Sequence, residues 1–232
     1  MNNLKNCFLG SAVIHSQIEI ISDISSIAGE FFKSPNVTTR VTPAQAGVQS
    51  SDFLDSGLRR NDEPEQLPPN DVFVEKIKIL KNSEMKIWKK VQDGMNPQEN
   101  RIPLLLSALA HRLAEEISLA VIETAQFDLL ATPETILMIQ KTKEAVKAIS
   151  ESLKSLSAKS SAESIAAAGN RSLEIFQIFK KARKDAFKDE KSVRGLKNSE
   201  IALRFSEIAN TLEKMAKTLG EIIATETLNG AS

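Results

Sequence analysis

Cysteine occurs once, tryptophan once and tyrosine never in the 232 residues. Cys7 alone can neither close an intramolecular disulfide nor assemble a thiolate zinc site, so a reducing, cytoplasmic setting is expected. Glycine is scarce at nine residues and aromatics make up 5%, which removes most of the turn formers and ring-bearing β-formers that sheet proteins use. Neither charge is in excess: 30 Lys plus Arg balance 30 Asp plus Glu, so no global field attracts nucleic acid or an anionic membrane. Long apolar runs are missing as well. The stretch 117–131 is broken by Glu123 and Asp128 and falls short of the roughly 20 residues a spanning helix needs, so no transmembrane insertion is expected. Near the N-terminus Lys5 precedes the apolar residues 7–14, but Gly10 and Ser11 interrupt them and no clear cleavage site follows, which speaks against a signal peptide.

What is present is helix-forming. Ala, Leu, Ile, Lys, Glu and Ser dominate, and the apolar residues recur at steps of three and four. Ile14, Ile18, Ile21, Ile24, Ala28 and Phe31 fall on one side of a first helix. Asp71 is expected to cap a second, carrying Phe73, Val74, Ile77, Leu80, Trp88 and Val91 and stopping at Gly94 before Pro97. A third starts near Asn100 with Pro103 in its first turn and buries Leu106, Leu109, Leu113, Ile117, Ala120 and Ala125. Thr132-Pro133-Glu134 combines a capping hydroxyl, a proline whose missing N–H is harmless in a first turn, and an acid at the positive helix end. The fourth helix it opens carries Ile139, Val146, Ile149, Leu153 and Leu156. A fifth runs through Ile165, Leu173, Phe176 and Phe179 to about Phe187, with Gly195 as the next break and Asn198 or Ser199 starting the last helix.

That last helix holds the clearest periodicity. Ile201, Phe205, Ile208, Leu212, Met215, Leu219 and Ile222 alternate steps of four and three without a miss, which is a heptad seam for helix pairing. The expected architecture is all-α: an antiparallel bundle of about five long helices with coiled-coil-like packing over 71–232, preceded by a separate amphipathic helix at 1–33. Between them, 34–70 contains Pro35, Pro43, Pro64, Pro68 and Pro69 and no sustained period, so it is expected to be an irregular linker or insertion.

Within that linker, Val41-Thr-Pro-Ala-Gln-Ala-Gly-Val-Gln49 precedes Leu54-Asp-Ser-Gly-Leu-Arg-Arg-Asn-Asp-Glu63. Segment 41–63 resembles the translation of interspersed palindromic repeats scattered through bacterial genomes, whose read-through has the form VIPAQAGIQ, a short spacer, then LDSRLRGNDE. Thr42, Val48, Gly57 and Arg60 depart from that form. The resemblance implies a bacterial source and a segment that arrived as mobile DNA, with no family activity attached. It leaves open whether the element entered a tolerant loop or whether the functional start lies downstream, near Met85 or Met95.

Chemistry-bearing constellations are few. His15 and His111 are the only histidines, and His111 with Glu115 has the i, i+4 spacing of a ligand pair, but two acid-x-x-His units of the di-iron kind cannot be assembled. No base accompanies Cys7, and neither a G-x-x-x-x-G-K loop nor a G-x-G-x-x-G turn occurs. A non-enzymatic protein without a cofactor or metal is therefore expected. The sharpest charge feature is 180–197, where eight cations face Asp185, Asp189 and Glu190. Lys180, Lys181, Arg183, Lys184 and Lys188 are the candidate phosphate contacts there. The expected mode of action is helix–helix association, with a second copy or a partner helix, through the 201–222 seam; nucleic-acid binding by the basic turn is the second candidate.

Overall fold

The computed structural model describes residues 3–33, 69–92, 97–154, 158–188 and 192–230; the repeat-like segment 41–63 lies outside them. Among the described residues there are six helices and no strand: α1 (Asn3–Lys33), α2 (Pro69–Gln92), α3 (Pro97–Gln126), α4 (Pro133–Lys154), α5 (Ala158–Phe187) and α6 (Val193–Gly230). α2, α3 and α4 each open on a proline, whose fixed φ suits a first turn and whose absent N–H leaves no orphan donor. α3 starts at Pro97, not Asn100, so Pro103 falls inside the helix and not in its first turn.

The α3–α4 connection is built without glycine. Leu129 N–H donates to the Thr124 carbonyl at 3.1 Å and Asp128 N–H to the Ala125 carbonyl at 3.1 Å, the two bonds of a Schellman C-cap. Asp128 takes the left-handed position, with φ 52°, which a short polar side chain tolerates. Thr132 then caps α4 as expected, its hydroxyl accepting the Thr135 N–H at 3.1 Å. At the other connection, Ser192 Oγ accepts the Gly195 N–H at 3.0 Å, so α6 begins at Val193 and Gly195 lies in its first turn. Gly195 is thus no break; the Ser192 cap carries the helix start ahead of Asn198.

Ion pairs fix the helix directions. Glu134–Lys181, Lys141–Glu174 and Glu144–Arg171 form a ladder that sets α4 antiparallel to α5. Arg112–Glu207 and Glu116–Arg204 do the same for α3 and α6. Gln17 of α1 meets Ser107 early in α3, whereas Phe32 stacks at 6.1 Å on Phe205, which α6 holds level with the later turns of α3. α1 therefore runs parallel to α3 and antiparallel to α4. α1, α3, α6 and α4 form a ring in which each packs on the next, with α5 seated on α4 and α6, and α2 on α3 and α1.

The first helix, expected to stand apart from the bundle, is one wall of it. Ile14, Ile18, Ile21, Ile24, Ala28 and Phe32 join the common core. An aliphatic stripe of that length gains roughly 1.5–3 kcal/mol per large side chain on leaving water, and α3 and α4 supply the facing surface. Phe32, not Phe31, is the fully buried ring; Phe31 packs edge-on against it at 5.3 Å. Residues 71–232 consequently do not hold the whole core. Among its described side chains α2 buries only Phe73 and Leu80 in full, and Val74, expected in its buried stripe, is 61% exposed. The side chains of Trp88 and Val91, and Leu156, lie outside the described residues.

Candidate functional site

The 201–222 seam faces inward. Ile201, Phe205, Ile208, Leu212, Met215 and Leu219 are buried and Ile222 packs against them at the edge, so the stripe meets α5, α3 and α4 of its own chain. Ala202, Ala209 and Ala216 lie one position further along each seven-residue repeat and are buried too, which widens the contact to serve two neighbours at once. A heptad seam identifies a helix that pairs; which helix it pairs with is a tertiary matter.

α5 behaves differently. Its inward stripe is Ser161, Ala168, Ser172, Ile175 and Phe179, largely small residues that let it approach α4 and α6 closely. Leu173 and Phe176, expected in the core, are 56% and 38% exposed. They lie one residue beyond Ser172 and Ile175, rotated about 100° off the buried stripe. The apolarity of Leu173 and Phe176 drew them into the expected core because the residues that do line it are too small to stand out in the sequence.

Leu173, Phe176, Lys180, Arg183 and Phe187 follow one another at steps of three and four, a second heptad-spaced stripe, exposed along its whole length. The cations lie on the rings: Lys180 Nζ is 4.7 Å from the Phe176 centroid, and the Arg183 guanidinium is 5.3 Å from Phe187 and 6.0 Å from Phe179. Such stacking holds long side chains along the helix and leaves their charge facing outward.

The other candidate phosphate contacts have local partners. Lys181 pairs with Glu134 at 3.2 Å and Lys188 with Asp185 at 2.7 Å, and the Lys188 bond holds the Asp185 carboxyl below its ordinary range. Lys197, from the same basic segment, donates to the Phe127 carbonyl at 3.3 Å, a cation at the negative end of α3. Lys184 has no ion pair among the described residues. Five candidate contacts thus divide into two ring-stacked, two ion-paired and one unpaired.

Elsewhere polar groups tie the bundle together. Arg204 of α6 forks onto Glu123, with Nε 3.0 Å from Oε2, and lies 3.6 Å from Glu116. Burial raises the Glu116 carboxyl above its usual value despite the neighbouring Arg204. His111 stands between two carboxylates, Nδ1 at 3.1 Å from Glu84 and Nε2 at 3.3 Å from Glu115. The carboxylates approach opposite ring nitrogens, so they cannot converge with the imidazole on one ion. No group of three or more His, Cys, Asp or Glu placed to hold a metal ion occurs among the described residues. Nor is any described helix long and apolar enough to cross a membrane.

Compared with models of protein families and with curated proteins, the sequence matches none.

Proposed function

We propose that this protein is a non-enzymatic binding module that acts through helix–helix association, and that the surface it offers is the outward stripe of α5. The carrying observation is the exposed 3-4-3-4 run Leu173, Phe176, Lys180, Arg183, Phe187 on a helix whose opposite side is already packed. Apolar anchors at heptad spacing fit a partner helix laid in parallel or antiparallel register. The cations favour one of the two expected partners over the other. Two copies meeting through this stripe would bring Lys180 and Arg183 of each together, with Lys184 beside them, whereas an acidic amphipathic helix would neutralise them. A partner helix carrying Glu or Asp beside its apolar stripe is the better fit.

The test uses the full chain and two synthetic amphipathic helices with the same leucine stripe, one flanked by Glu and one by Lys. Fluorescence anisotropy should detect binding of the acidic peptide, roughly ten-fold weaker or undetectable binding of the basic one, and loss on Leu173→Ser with Phe176→Ser. Equal binding of both peptides, or full binding by the double variant, overturns the proposal. A 20-base-pair duplex that binds the unaltered chain and not Lys180→Glu with Arg183→Glu would instead favour nucleic acid as the partner, with the same stacked cations contacting phosphate.

A further inference from the structure

On the side of the bundle formed by α1 and α4 lies a groove of about 480 Å³, lined by Ser22, Ser25, Ser26, Gly29, Lys33, Ile139, Gln140, Lys143, Glu144 and Lys147. Its charge is unbalanced. Three lysines face one carboxylate, and that carboxylate, Glu144, is engaged by Arg171 of α5 at 2.8 Å and by Lys141 of its own helix at 3.2 Å. Lys33 and Lys143 have no ion pair among the described residues, and Lys147 reaches Glu151 only at 3.8 Å.

Lys143 is the organised member. Its stem crosses α1 where Gly29 has no side chain: a Cβ there would meet Cδ at 3.2 Å and Nζ at 3.5 Å. Gly29 therefore lets the ammonium lie down against α1, inside the groove, where an alkyl group would lift it toward solvent. Ser25 turns its hydroxyl onto the Ser22 carbonyl at 2.9 Å, while Ser22 and Ser26 add hydroxyls to the lining.

The groove is long. From Ser22 to Lys33 is 11 residues, about 16 Å of helix at 1.5 Å per residue. Because α1 and α4 are antiparallel, Lys33 belongs to the Ile139 end, Lys147 to the Ser22 end, and Lys143 lies between. We infer that this groove binds an extended small anion bearing several phosphate groups in line, its charges matched to Lys33, Lys143 and Lys147 and its oxygens accepting from the Ser22 and Ser26 hydroxyls. A single phosphate would meet only part of that array.

Isothermal titration of the full chain at about 0.15 M salt tests it, with sodium tripolyphosphate, orthophosphate and magnesium-free ATP as probes. Tripolyphosphate should bind at least ten-fold more tightly than orthophosphate, and ATP should show whether a phosphate chain tethered to a nucleoside is accepted or only a free one. Lys143→Gln should weaken tripolyphosphate about ten-fold, with Lys33→Gln plus Lys147→Gln as a second, independent removal of charge. Lys184→Gln on α5 should leave it unchanged, which separates this groove from the peptide-binding stripe. Absence of heat with every probe, equal affinity for orthophosphate, unaltered binding by both groove variants, or an equal loss in Lys184→Gln overturns the assignment.

Discussion

Truncation of Leu212 measures whether the α6 seam is consumed inside the chain. Leu212 is fully buried among Ile208, Met215 and the facing helices. Leu212→Ala removes that contact and leaves a cavity that close-packed neighbours refill only partly, so about 2–5 kcal/mol of stability should be lost. For a chain of this length each kcal/mol shifts the melting temperature by about 2–4 °C, giving a fall of roughly 4–20 °C. Leu173 supplies the control. It is 56% exposed, so Leu173→Ala forfeits less than half the transfer energy of a leucine and leaves no enclosed cavity, a loss below about 1 kcal/mol. Calorimetry on both variants, with light scattering for mass, checks the contrast. If Leu212→Ala melted within about 2 °C of the unaltered chain, or if the two variants fell equally, the seam would not be internal and the helix arrangement would be refuted.

Two further perturbations probe polar groups in the interior. Gln17 is fully buried, its Nε2 donating to Ser107 Oγ at 2.8 Å while its Oε1 finds no partner among the described residues. Ser107→Ala should cost about 1–3 kcal/mol in a denaturant titration, and adding Gln17→Leu should recover most of it; a double variant as weak as the single would exclude the pairing. Burial holds the Glu116 carboxyl above its unfolded value of 4.5, so its contribution to stability is full below pH 4.5 and is lost as pH rises through the raised folded value. Glu174 behaves oppositely: Lys141 and Arg171 lower its carboxyl, giving stability above pH 4.5 that is lost as pH falls through the lowered value. Relative to the unaltered chain, Glu116→Gln should therefore gain stability as pH rises from 4.5 to 7, and Glu174→Gln should lose its deficit as pH falls below 4.5; melting curves on the two sides of pH 4.5 with the opposite trends would reverse both assignments.

The amino-acid sequence by itself determined the elements. The three-and-four spacing of apolar residues, Thr132 before Pro133, and the shortage of glycine and β-forming rings are local signals, and local backbone physics reads them directly. It determined that α6 pairs through Ile201 to Ile222, because a heptad stripe must face another helix. It also reached the basic turn on α5, though not the arrangement of its side chains. Where local chemistry had more than one solution, the boundary moved: Ser192 started α6 ahead of Gly195, and Asp128 took a left-handed cap that glycine usually fills. Only the tertiary structure decided which stripe meets which. Burial is shared between faces, so Ser161, Ala168 and Ser172 line the inner side of α5 because close approach favours small residues, and Leu173 and Phe176 are left outside. The same packing brought α1 into the core and closed a groove against α4, joining Gly29 to Lys143 across more than a hundred residues, a distance over which no periodicity carries information.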